Sequence, residues 1–458
     1  MSEGRVTYDI TNAQSIEKHA KMLENKTFRE SMDNIVIRES GNKGGLGQLI
    51  EENHFGYKLN SDSEPDFPEA GVELKVTPYK INTKKGNKVA KERLVLSIIN
   101  YMTLPYEKFE NSMFYKKNKL LLLIFYLYQP KEEIKDRLDY KITHAQLFEF
   151  PKKDLNIIKR DWEIIKEKVN NGLAHELSER DTNYLGACTK GANKNSLREQ
   201  PHSNEPAMQR AYSLKASYMT AILNDYILAK KATFEDSVID DERVLEEESL
   251  ESYILKKFEP FKGFTIDKIK ATLDIHANRK AKNFAQKIAS KMLNLQTNNI
   301  EKSEEFIKAN IKLKTIRVEK NGKIKEHMSF PTFKYKEIVQ EEWETSTLRQ
   351  MFLETKFLFF IYRFNENNEL CFYDAMFWNI PFNDLEIEVK KVWEETVSRI
   401  MDDQADKLPG SKDNLVSHVR PHAQNKMDTY ETPQGKQVVK KCFWLNNYYL
   451  EKQLGLNK

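Results

Sequence analysis

The sequence predicts an α/β (α+β) chain built as two tandem halves of one design. Three observations carry this. Strand-like and helix-like segments are interleaved along its length. Four stretches of the first half return, in order, in the second. At 458 residues, 40% of them hydrophobic, the chain is long enough for two cores. Apolar spacing predicts a first helix over 12–22 and a second from about Leu46 to Glu52, entered through the glycine-rich GNKGGLG. NSDSEPDFPEAG, punctuated by Pro68 and Gly71, reads as a turn-rich loop. VELKV then alternates as a strand, YKINTKKGNKVAKER reads as basic and turn-like, and LVLSIINY as a strand. KNKLLLLIFYLY, ending at Tyr128, is a buried strand, and DLNIIKRDWEIIKEKVNN is an amphipathic helix. LGACTKGANKNSLREQPHSNEP is polar and loop-like before apolar periodicity resumes in MQRAYSLKASYMTAILNDYILA. The acidic stretch that follows predicts a linker or solvated helix, which sets domains at 1–232 and 252–458 with the linker at 233–251.

The echoes fix the repeat. KNKLLLLIFYLY returns as LETKFLFFIYRF, with Lys119 expected opposite Lys356. KRDWEIIKEKV around Trp162 returns as KKVWEETVSRI around Trp393, both tryptophans being expected in cores. LGACTKGAN falls opposite SHVRPHAQN, and AYSLKASYM opposite CFWLNNYYL.

Composition narrows the functional classes. A net charge of +4 is compatible with a polyanionic partner. The longest apolar run, LLLLIFYLY, is too short to span a bilayer, and the start of the chain carries no apolar signal segment. Three scattered cysteines, Cys188, Cys371 and Cys442, argue against a disulfide framework or a cysteine-rich zinc site and fit a cytoplasmic setting away from membranes.

The chemistry concentrates in FPEAGVELKVTP. On a strand, Glu73 and Lys75 project to one side while Val72, Leu74 and Val76 face the other. Asp66, on the preceding loop, can fold back beside Glu73. Two carboxylates make a hard-oxygen site for Mg²⁺ that also accepts phosphate oxygens. A lysine beside them can orient or help deprotonate an attacking water and stabilise charge developing on phosphate. That is the set needed to hydrolyse a phosphodiester. The competing reading is a strand edge with a surface ion pair. Glu51, which ends KGGLGQLIE, shifts the balance by offering a third carboxylate. The basic run Lys80, Lys84, Lys85, Lys88, Lys91 and Arg93 reads either as a solvated loop or as a phosphate contact. HELSE, His175 to Glu179, reads as surface, and His54 is given no role. Aligning DFPEAGVELK with EFIKANIKLK sets Glu305 at Asp66, Lys312 at Glu73 and Lys314 at Lys75, with Ala289 near the Glu51 position. An ammonium where a metal ligand is required predicts a second copy that does not cut.

Taken together, KGGLGQLIE, EPDFPEAGVELKVTP, KERLVLSIINY and TKGANKNSLREQP resemble the MutH / Sau-three-A-I family of GATC-specific endonucleases, strongly in the first half and more loosely in the second. The resemblance implies a restriction-endonuclease-like fold in two tandem copies, the second catalytically degenerate. It implies Mg²⁺-dependent cleavage of double-stranded DNA at GATC, before the G, leaving a 5′-phosphate. Glu51, Asp66, Glu73, Lys75 and Lys119 are the implied catalytic residues, with Lys117 an alternative to Lys119 and with Asp66 and Glu73 as metal ligands. Lys43, Lys85, Lys88, Lys190, Ser213 and Lys215 are the expected DNA contacts of the first copy, Arg420 and His422 those of the second. Cys188-Thr189-Lys190 stands where the nickases of the family carry Arg-Pro-Lys, a pattern that Arg420-Pro421-His422 approaches more closely. The second copy is expected to act as an allosteric effector on a second GATC site, in a monomer or a DNA-induced dimer. A mismatch-repair nickase and a non-catalytic DNA-binding regulator are the alternatives.

Overall fold

The structure, a computed structural model, describes residues 8–32, 45–56, 64–82, 86–130, 132–191, 195–228, 234–279 and 281–456. Lys43, Lys84 and Lys85 lie outside the described residues. The chain forms two compact units, one comprising Met1–Glu235, Ile239–Leu250 and Ile307–Asn310, the other Asp236–Val238, Glu251–Phe306 and Ile311–Lys458. The acidic stretch is more than a solvated linker. Val238, Ile239 and Leu245 are buried and Val244–Glu247 is helical, because apolar side chains recur among the acids and find cores to enter. Among the described residues no helix is long and apolar enough to cross a membrane.

In the first unit, α1 (Ala13–Ala20) starts at Asn12, whose side chain accepts from the Ser15 N–H. Helix α2 (Gly45–Ile50) runs into a π-helical turn, Glu51–Phe55, that ends at Gly56 in the left-handed region. Strands β1 (Glu73–Ile81) and β2 (Lys88–Ala90) form a hairpin with Tyr79 opposite Ala90. The segment expected to be only turn-like therefore contributes strand at both ends, since cross-strand pairing satisfies backbone groups that its polar sequence does not advertise. Then come β3 (Leu94–Ile98), α3 (Met113–Asn118), β4 (Leu120–Leu127) and β5 (Lys141–Glu149). The main sheet has the order β2-β1-β4-β5, with β1 and β4 parallel and Glu73 opposite Leu121. Leu121 to Phe125 are fully buried, which accounts for the unbroken apolar run: β4 is covered on both faces. On one face Leu74, Leu122 and Ile124 pack with Ile16, Leu46 and Ile50, so α1 and α2 are held against the strand that carries Glu73. Each such side chain contributes roughly 1.5–3 kcal/mol of burial.

Helix α4 (Lys152–Asn170) is followed by β6 (Leu185–Thr189), β7 (Leu197–Gln200), β8 (Ser203–Met208), β9 (Arg210–Leu214) and α5 (Ala216–Ala221). Strands β3, β9 and β6 form a second, antiparallel sheet, and β7 and β8 a hairpin. The stretch read as a polar loop is mostly strand. Its polar residues lie on the exposed hairpin, while Leu185 to Cys188 are buried.

The second unit repeats this plan. Helix α6 (Phe284–Met292) precedes β10 (Ile311–Val318), β11 (Met328–Thr332), α7 (Thr347–Glu354), β12 (Lys356–Phe364), β13 (Leu370–Trp378) and α8 (Lys390–Met401). Strand β14 (Ser417–Pro421), the hairpin β15 (Thr429–Glu431) and β16 (Gln437–Val439), and β17 (Lys441–Leu445) complete it. Its sheets, β10-β12-β13 and β11-β17-β14, have the order of β1-β4-β5 and β3-β9-β6, with the first pair again parallel. Trp162 and Trp393 are buried on the matching helices α4 and α8.

Candidate active site

A tight turn builds the site. Phe67 and Val72 bond to each other in both directions, N–H to carbonyl, around Gly71 at φ +65°. This folds the loop back so that Asp66 Oδ2 accepts the Leu74 N–H at 2.8 Å, while the Asp66 N–H donates to Glu73 Oε2 at 3.1 Å. Glu73 is 2% exposed. Lys75, two residues on and on the same face, brings Nζ to 2.5 Å from Glu73 Oε1. Lys117, at the end of α3, brings Nζ to 3.8 Å from Glu73 Oε2.

Glu51 enters from the π-helical turn. Gly47 lies against β1, where an added Cβ would make ordinary contact, 3.9 Å from Glu51 Oε1 and 3.9 Å from Val76 Cβ. Burial, reinforced by the Asp66 charge, pushes the Glu51 carboxyl up to about 7, against the opposing pull of Lys75. Burial likewise raises Glu73, with Lys75 opposing and Asp66 adding to the rise. Three carboxylates thus crowd a partly dry site with two lysines. Among the described residues no three His, Cys, Asp or Glu side chains converge as a closed ligand set. A Mg²⁺ ion fits nonetheless, because it is held by one or two carboxylates with waters and phosphate oxygens, and its charge would oppose the burial and the Asp66 charge that raise Glu51.

The remaining expected residues divide. Lys119 is exposed, its Cε only 3.7 Å from where a Gly71 Cβ would lie, and Lys117 is the lysine that faces Glu73. The cause is helical: α3 ends between them, and the last turn points Lys117 back toward β1. Lys190 is exposed just after β6, and Lys88 lies over the Tyr79 ring with Nζ 5.3 Å from its centroid. Ser213 and Lys215, expected as DNA contacts, are buried. Ser213 is buried between β3 and β6 in the middle strand of its sheet, and Lys215 Nζ is buried against the Thr182 carbonyl at 2.5 Å. Arg93 pairs with Glu179. His54, given no role, stacks on His19 at 4.1 Å, each ring Nε2 bonding the other's backbone carbonyl.

In the second unit, Glu301 takes the part that Asp66 plays in the first: its Oε1 accepts the Leu313 N–H at 2.9 Å, as Asp66 accepts that of Leu74. Glu305, which linear alignment equates with Asp66, is buried elsewhere and accepts from Ser237 Oγ and the Val238 N–H. The alignment misses this because one extra helical turn, Glu304–Lys308, separates Glu301 from β10. Lys312 Nζ lies 3.2 Å from Glu301 Oε2, and Lys314 is bonded to the Ser329 carbonyl at 2.7 Å, its pKa lowered by burial. Ala289 is buried on α6. With Glu73 and Lys312 equated, the β1/β4 and β10/β12 registers set Lys356 at Leu120 and not at Lys119. Arg420 and His422 are exposed at the end of β14.

Comparison with known proteins follows this geometry. The family model described as the DNA mismatch repair enzyme MutH matches twice, over residues 55–161 and 293–391. The chain is 38% identical to the type II restriction enzyme Sau3AI of Staphylococcus aureus, over 96% of this chain and 98% of that protein. It is 28% identical to the DNA mismatch repair proteins MutH of Shewanella woodyi, over 40% of this chain and 76% of that protein, and of Shewanella putrefaciens, over 40% and 79%.

Proposed function

The chain belongs to the family of the type II restriction enzyme Sau3AI and the mismatch-repair protein MutH, a family of site-specific deoxyribonucleases, and from that premise we propose that it cuts both strands of DNA at GATC, before the G. The observation that carries this reading is the convergence of Asp66, Glu73 and Lys75 around one buried carboxylate, with Glu51 and Lys117 beside it. The restriction reading is favoured over a nickase because the likeness to the restriction enzyme runs through both units, whereas each mismatch-repair relative covers 40% of the chain.

Asp66 and Glu73 would hold a Mg²⁺ ion, which when bound would supply Lewis-acid stabilisation of negative charge on the scissile phosphate. Lys75 orients the attacking water and stabilises charge developing on the phosphate oxygens. Lys117 adds a second ammonium on the other oxygen of Glu73. Glu51, with its raised affinity for a proton, is suited to take one from the water. Attack at phosphorus breaks the bond to O3′ and leaves a 5′-phosphate. The second unit is read as a non-catalytic copy that grips another GATC. Lys312 beside Glu301 and Ala289 near the Glu51 position support this, since an ammonium in the ligand position repels a divalent ion.

The test is incubation of unmethylated plasmid with the protein and Mg²⁺, beside Glu73→Ala. Linear fragments from wild type and intact but retarded plasmid from the variant are expected. Open circles from wild type would favour a nickase, and normal cutting by Glu73→Ala would overturn the site.

A further inference from the structure

The second unit carries a cluster that the first lacks. Arg420 Cζ lies 5.2 Å from the centroid of the Trp444 indole. The His422 ring meets the same indole edge-on at 5.3 Å. His418, paired directly opposite Trp444 in the sheet, lies parallel to it at 6.4 Å and is fixed behind it, with Nδ1 2.6 Å from Asn446 Oδ1. Strand pairing equates Trp444 with Ser213 and Arg420 with Cys188, so at these positions the first unit has neither the platform nor the cation. Arg420 is exposed, and no carboxylate among the described residues forms an ion pair with it.

A guanidinium over an indole face is attracted by the ring quadrupole, and the rotamers of its long side chain are narrowed before any ligand arrives. A guanidinium that stacks on a ring engages its own face and leaves its in-plane N–H donors free. Two of those donors match O6 and N7 of guanine in the major groove. We propose that Trp444 is a positioning residue that holds Arg420 flat for reading a guanine edge in the second unit; this rests on the reading that the second unit binds GATC DNA.

The experiment uses the full chain without divalent ions, so that nothing is cut. Duplex binding is followed to its second step by gel retardation, with GATC duplexes containing either guanine or 7-deazaguanine, which lacks N7. Wild type should take two duplexes per chain and bind the guanine duplex about tenfold more tightly in the second step. Trp444→Ala should bring that ratio close to one, and Trp444→Phe, which keeps an aromatic face, should restore part of it. In an Arg420→Ala background, removing Trp444 should cost nothing further, since its effect runs through the arginine. Tryptophan emission gives a local check. Trp162, Trp343, Trp378 and Trp393 are buried and Trp444 is half-exposed, so the second duplex should change the acrylamide-quenchable emission of wild type and not of Trp444→Phe. If the second duplex binds with an unchanged guanine ratio in Trp444→Ala, or if the two losses add, the positioning role is overturned while the DNA-binding reading stands. If Trp444→Ala fails to fold, Trp444→Phe and the emission arm decide alone: no emission change on a second binding step overturns the proposal. If wild type takes only one duplex, the reading beneath the proposal falls with it.

Discussion

Lys117 and Lys119 are two residues apart, and the sequence offers both to the same role. Only Lys117 reaches Glu73, with Nζ 3.8 Å from Oε2, while Lys119 is exposed. Lys117→Ala should therefore lower kcat by about 10²-fold, the order seen when a charge-stabilising donor is removed, and Lys119→Ala should stay within about threefold of wild type. Single-turnover cleavage at saturating Mg²⁺ measures both, and the reverse ranking would move the assignment to Lys119. Glu51 gives a second prediction. Its carboxyl is raised from 4.5 to about 7, so the folded chain holds this proton more tightly than the unfolded chain does. That contribution to stability is complete below about pH 4.5 and is lost as pH rises through about 7. In metal-free protein Glu51→Gln should then be the more stable at pH 8, by about 1 kcal/mol after solvent screening or roughly 2–4 °C in Tm, with the difference gone at pH 4.5. Thermal melts in chelator at the two pH values measure it. Excess Mg²⁺ should narrow the gap by favouring the ionised carboxylate.

At the scale of the element, Asp161 shows how a helix sets a strand. It sits fully buried on α4, and its carboxylate accepts the N–H groups of Asn183, Tyr184 and Leu185 at 2.8, 2.7 and 2.9 Å. These bonds fix the entry of β6, the strand that leads to Lys190. Asp161→Ala would leave three buried donors without this acceptor, at a cost of about 3 kcal/mol or more. Because β6 would loosen, discrimination between GATC and scrambled duplex should fall as well, even at a temperature where the variant is folded. Urea titration and competitive retardation check the two parts. The amphipathic spacing of α4 was legible in the sequence, but nothing in that spacing singled out Asp161. Its burial depends on β6 arriving beside it, which periodicity along the helix does not encode. The same limit hid β7 and β8, whose hairpin is polar because it is exposed.

For the molecule as a whole, the symmetry of the proposed GATC substrate matters. GATC is its own complement, so cutting both strands requires two attacks related by a two-fold axis. If the second unit lacks a working site, one chain carries one, and it must pair with another chain or strike twice. An effector site acts only by binding the cutting-competent state more tightly than the alternative. Arg420→Ala should therefore lower initial rates on a plasmid with two GATC sites by about tenfold, and leave the slower rate on a one-site plasmid nearly unchanged. It should also abolish stimulation by a short GATC duplex added in trans. Salt is held fixed, since phosphate binding is steeply salt-dependent. Equal wild-type rates on the two plasmids, unaltered in the variant, would reduce the second unit to a scaffold.

By itself the sequence determined the two-fold repeat, the apolar strands β4 and β12, and the grouping of Asp66, Glu73 and Lys75, because each is written in local spacing: two residues along a strand, a turn at Gly71, a run of leucines covered on both faces. Tertiary structure alone decided that Lys117 faces Glu73, that Glu301 and not Glu305 takes the part of Asp66, that Ser213 and Lys215 are buried, and that Trp444 lies under Arg420. These are contacts between elements. They depend on strand register, on where a helix ends and on one extra turn before β10, and none of those distances is carried by the spacing of residues along a single element.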